Sequence, residues 1–140
     1  MAPAAADWPQ FRGPFFNGST DEKNLPSSWS TTENIAWIAE LPGPSAATPI
    51  VWEDRVFVTC YSGYGLGRDA VEPIEGLTRH LVCVDRSGGA ILWSKSVDAT
   101  MPEDPYLGMG MPEHGYASNT PVTDGQRVLA FFGKSGVFAF

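Results

Sequence analysis

Thr48-Pro49-Ile50-Val51, followed by Arg55-Val56-Phe57-Val58, is written a second time as Thr120-Pro121-Val122-Thr123 followed by Arg127-Val128-Leu129-Ala130, at a constant offset of 72. A second echo runs at an offset of 56. Asn34-Ile35-Ala36-Trp37 matches Ala90-Ile91-Leu92-Trp93, and Leu81-Val82-Cys83-Val84 matches Val137-Phe138-Ala139-Phe140. Repetition on this scale marks a stacked or radial array, in which one repeat cannot bury its own apolar faces.

The matched segments are short, rich in β-branched and aromatic residues, and bounded by turn formers. Fifteen Gly and twelve Pro, many between apolar runs, favour strands and tight turns over helices. The reading is an all-β chain. Strand A spans 47–52, and Glu53-Asp54 turns it into strand B at 55–61. Strand C covers 79–85, and Arg86-Ser87-Gly88-Gly89 leads into strand D at 90–96. The pattern restarts with strand A at 119–123, turns at Asp124-Gly125-Gln126 into strand B at 127–132, and reaches strand C at 137–140. Asp-Gly ahead of Arg-Val is a hairpin signal, because Gly accepts positive φ.

Residues 34–40 carry the D-type tryptophan pattern with no A, B or C before them. The expected organisation is thus an irregular covering segment at 1–33 and a closing D strand at 34–40. Blade 1 follows at 47–96, a long loop at 97–118, and blade 2, lacking its D strand, at 119–140. Consecutive antiparallel strands joined by short turns form four-stranded meanders, the blades of a β-propeller. The left-over strand and the missing strand match, so completion by oligomerisation is expected. A second copy would supply 34–39 to the exposed edge of 137–140 through a head-to-tail interface. Four copies are favoured over three. A chain truncated from a longer parent is the competing explanation.

The residues also carry a family resemblance. Apolar strand C, Asp85, a Gly turn, Ile91-Leu92-Trp93, then Thr-Pro and an Arg-Val strand resemble the tryptophan-docking repeat of pyrroloquinoline-quinone (PQQ)-type β-propellers. Asp7-Trp8-Pro9-Gln10-Phe11-Arg12-Gly13-Pro14 and His114-Gly115-Tyr116-Ala117-Ser118 resemble segments of the large exported PQQ-like proteins of environmental bacteria. The resemblance implies about two blades of an eight-bladed protein, a periplasmic or secreted location, and inter-blade docking by Trp37 and Trp93. It also brings PQQ and calcium into consideration. Quinoprotein dehydrogenases of this fold use an acidic base and, in many, adjacent cysteines, and neither appears here in a recognisable quinone-site context. No cofactor is supported by the residues themselves.

Composition narrows the function classes. The formal charge of −7, with no run of Lys or Arg, disfavours nucleic acid and anionic lipid. No apolar stretch approaches the roughly 20 residues that a spanning helix needs. Met1-Ala2-Pro3-Ala4-Ala5-Ala6 is not an intact signal peptide. It reads either as the stub of a removed leader or as a flexible scar. Cys60 and Cys83 fall on neighbouring strands, where buried thiols are preferred and a cross-strand disulfide is the alternative.

Strand alternation sends the B–C connection (62–78) and the D–A connection (97–118) to the same end of the blades, where long loops on a rigid scaffold usually bind. The first offers Tyr64 and Arg68 on a Gly-rich lid. Its glycines lack the following helix that a phosphate cradle requires. The second offers Glu113, His114, Tyr116 and Asn119: a carboxylate, an imidazole and two hydrogen-bonding groups suited to a polar ligand, a metal or general-base work. The bland reading is a loop ordered by its own hydrogen bonds. His80 reads as a surface or inter-strand residue. The expected function is a non-catalytic binding or scaffold module that assembles with itself. The runner-up is a fragment of a quinone-dependent oxidoreductase or of a His114-based hydrolase.

Overall fold

The computed structural model describes residues 6–66, 72–105 and 114–140. It contains two antiparallel sheets. The first has four strands in sequential order: β1 (Ile50–Trp52), β2 (Arg55–Ser62), β3 (Thr78–Asp85) and β4 (Ile91–Asp98). The second has three: β5 (Val122–Thr123), β6 (Val128–Phe131) and β7 (Val137–Ala139). The protein is all-β, with single 3₁₀ turns at Ile74–Gly76 and Gly133–Ser135.

Both first strands begin later than their apolar runs, for the same chemical reason. Pro49 and Pro121 have no N–H to give to a ladder. The residues before them bond to each other instead: the Thr48 N–H donates to Thr120 Oγ1 at 3.1 Å, so the two copies of the Thr-Pro motif touch. At the other end β4 runs to Asp98, where Thr78 Oγ1 donates to Asp98 Oδ1 at 3.3 Å across the ladder.

Side chains alternate across a strand, so each sheet has two faces. Phe57, Leu81 and Cys83 of the first sheet pack on Val128, Ala130 and Phe132 of the second, forming one apolar layer flanked by Trp52, Trp93 and Phe138. Trp93 lies against Phe57 with ring centroids 5.9 Å apart. Val58, Cys60, Val82 and Val84 point to the other side of the first sheet, beneath Trp37, Ala39 and Leu41. Cys60 and Cys83 are therefore buried free thiols on opposite faces, which excludes a disulfide between them. Burial raises both thiols above their ordinary range.

Two expectations are corrected. Residues 34–40 form no ladder, because β4 already fills the fourth position of the sheet they lie on. From Trp37 to Gly43 they nevertheless alternate half-buried and exposed residues, the period of a strand. The segment 1–33 covers a sheet only through its first described residues. Trp8 exchanges backbone hydrogen bonds with Val51, the Pro9 carbonyl accepts from Thr123 N–H at 2.9 Å, and Asp7 Oδ1 accepts from Glu53 N–H at 2.6 Å. This clip ties β1 to β5. Farther along, Phe11, Phe15, Phe16, Leu25 and Trp29 are exposed.

Tryptophans close the turns. Trp37 Nε1 donates to the Arg86 carbonyl at 2.8 Å, and its ring lies over Gly89, where a Cβ would come within 2.6 Å of it. Gly89 also has φ +74°, which L-residues rarely adopt. Trp52 covers Gly125, at φ +85°, in the same manner. Asp85 and Asp124 complete these turns by accepting N–H groups from Gly88 (2.6 Å) and Arg127 (2.7 Å). Hydrogen bonds to the ionised form hold both carboxylates below their ordinary values, for Asp85 first the Ser87 hydroxyl and for Asp124 first the Arg127 N–H.

Gly89→Ala is expected to lower stability by more than the roughly 1 kcal/mol of a positive-φ glycine, because the new methyl also displaces the Trp37 ring. Urea denaturation checks this. Trp37→Ala is expected to cost about 3 kcal/mol, the low end for a core tryptophan truncation, and to raise hydrogen exchange in β2 and β3.

Candidate functional site

The two long connections do meet. The first, after β2, brings Tyr61, Tyr64 and Leu77 to the same end of the sheets as Tyr116 and Ala117 from the second. Tyr116 is met edge-on by Tyr61 at 5.6 Å between centroids and by Tyr64 at 5.8 Å. Gly115, at φ +60°, lets the chain turn against the Tyr61 ring. The tyrosine hydroxyls tie the loops to themselves: Tyr61 donates to the Gly65 carbonyl at 3.0 Å and Tyr116 to the Asp104 carbonyl at 2.7 Å.

Beneath the aromatic cluster is a buried ion pair. Arg79 Nη2 lies 2.6 Å from Glu103 Oε2, with side chains 3% and 6% exposed. The same guanidinium donates through Nε to the Tyr116 carbonyl at 3.0 Å and sits 5.7 Å from the centre of that ring. One strand residue thus anchors both halves of the second connection. At its rim Lys134 pairs with Asp104 at 3.0 Å, an exposed contact of small energetic consequence.

A second polar group lies inside the first sheet. His80 is on β3 and buried, not at the surface. Its Nε2 is 2.8 Å from Ser62 Oγ on β2, and its Nδ1 is 3.0 Å from Ser96 Oγ on β4. A neutral imidazole has one donor and one acceptor nitrogen, so it serves one hydroxyl of each kind. Burial pushes its pKa below the ordinary histidine value.

The sequence-derived candidates separate on this geometry. Tyr64 and Tyr116 come together. His114 is exposed at the turn leading into Tyr116. Asn119 is exposed, and its carbonyl accepts from Thr59 Oγ1 at 3.1 Å. Glu113 and Arg68 lie outside the described residues. Among those described, no group of three or more His, Cys, Asp or Glu side chains is placed to hold a metal ion. Arg79 and Glu103 were not foreseen. The available signal was Thr78-Arg79-His80, a polar start to an otherwise apolar strand. Comparison with known proteins returns no matching family model, curated protein or solved structure.

Glu103→Ala leaves the Arg79 charge buried and uncompensated, and is expected to cost about 3–5 kcal/mol. Replacing Arg79 and Glu103 together by Met and Leu should recover much of that loss in a thermal melt. The folded-state pKa of His80 is depressed, so its contribution to stability is complete above about pH 6.5 and declines as the pH falls toward the folded value. His80→Gln should flatten that dependence when urea midpoints are compared at about pH 5 and about pH 7.5.

Proposed function

We propose that the protein is a propeller-type binding or scaffold module, completed by self-association, whose partner-binding face is the end carrying the two long connections. The observation that supports this most directly is the convergence of those connections on one cluster, with Arg79 holding Glu103 and Tyr116 together. A binding platform needs a surface fixed before the partner arrives, since ordering loops on contact subtracts from affinity. The hydrogen bonds of Tyr61, Tyr116 and Arg79 fix this one from below, while Tyr64 and His114 remain at its half-buried and exposed rim.

The blade reading draws support from the two antiparallel meanders and their face-to-face packing. Four copies would make eight blades, the number of the PQQ-like proteins that the sequence resembles, and three would make six. The chemistry of the loop end favours a partner over a reaction. Its described carboxylate Glu103 is neutralised by Arg79 at 2.6 Å, and the tyrosine hydroxyls donate to main-chain carbonyls.

Thermal melts with PQQ and Ca²⁺ separate this reading from the oxidoreductase alternative. The scaffold reading expects an unchanged midpoint. Ligand at about a hundred times its Kd would add about 2.7 kcal/mol, so a saturable rise of several degrees would contradict it.

A further inference from the structure

The two sheets are not mirror-related about their shared layer. They are stacked in the same sense, and the sequence repeat makes this visible residue by residue. At the offset of 72, Val56 and Val58 of β2 correspond to Val128 and Ala130 of β6. At the offset of 56, Leu81 of β3 corresponds to Val137 of β7. Yet Val128 and Ala130 are in the layer between the sheets, whereas Val56 and Val58 are on the far side of the first sheet. Each sheet therefore presents one kind of face forward and another kind backward.

This polarity has consequences at both ends. The forward face of the first sheet includes Ile50 and Leu81, each 0% exposed because the second sheet covers them. Their counterparts on the second sheet, Val122 and Val137, are 39% and 65% exposed, and Phe131 beside them is 48% exposed. At the back, Trp37 and Leu41 lie on the first sheet as Trp93 and Val97 of β4 lie on the second, again at the offset of 56. Residues 35–41 thus take the place of a fourth strand belonging to a preceding sheet. Ile38 in that segment is 78% exposed.

We infer that residues 35–41 of one copy add to the free edge of β7 in a second copy, antiparallel, in the register that β4 keeps with β3. Leu81 faces Lys95 in that ladder, so Val137 of one copy faces Ala39 of the other. The added strand gives the second sheet its fourth member. It also lays the exposed forward face of that sheet against the back of the first sheet of the other copy. Ile38 and Val137 become buried. The contact is heterologous, and repeated contacts of this kind close into a ring when the rotation between copies allows it. The inference rests on the propeller reading and names the surface that joins its copies.

The test mixes two single-cysteine additions, Ala39→Cys and Val137→Cys, in the full 140-residue chain, under mild oxidation. The expected result is a disulfide-linked pair in the mixture and none in either variant alone. A Val137→Cys chain linking to itself would show a two-fold contact and overturn the inference, as would a mixture that fails to link. Ile38→Asp, made at an exposed position, should weaken association by about tenfold or more, and an unchanged association would count against the pairing. Hydrogen exchange on the same samples separates the failures. Protected β2, β3 and β6 amides without cross-linking would reject this pairing alone, while unprotected amides would reject the stacked-sheet reading with it.

Discussion

The structure depends on the apolar layer in which Phe57, Leu81 and Cys83 meet Ala130 and Phe132. Neither sheet is stable as an isolated few-stranded ribbon in water, because one face would stay wet. Joining them buries the front of one against the back of the other and leaves one front and one back still open. The remaining features follow from managing those open faces. The 37–41 segment covers the back of the first sheet, and the Asp7–Pro9 clip fixes the spacing of β1 and β5.

The loop end is organised by a different force. Arg79 enters from the apolar layer's own strand, and its charge at 3% exposure requires compensation. Glu103 supplies it, and the Tyr116 carbonyl takes a further donor. A buried pair of this kind adds little net stability but specifies one loop arrangement over others, the property that a recognition surface needs. The His80 bridge to Ser62 and Ser96 does the same for three strands of the first sheet.

Much of the fold was legible in the sequence, because period-two alternation and Asp-Gly or Gly-Gly turns are local signals. All seven strands and the common end of the long connections came from them. The strand starts were misjudged at Pro49 and Pro121, whose missing N–H groups shorten the ladders. Longer-range facts were less readable. The Arg79–Glu103 pair joins residues 24 apart, and the burial of His80 depends on hydroxyls from two other strands. The five tyrosine, histidine, asparagine and acidic candidates of the loops, with Arg68, were chosen by chemistry alone. The structure joins Tyr64 to Tyr116, and leaves His114 and Asn119 exposed. The strand character of 34–40 was readable from Trp37, but its pairing was not, because a single chain gives it no edge.

Absolute mass in solution, by light scattering after size exclusion, tests the central claim that open front and open back belong together. The account predicts one sharp species at three or four times the 15.1 kDa chain mass, four being favoured. A folded species at the mass of one chain, persisting as concentration rises, would contradict it.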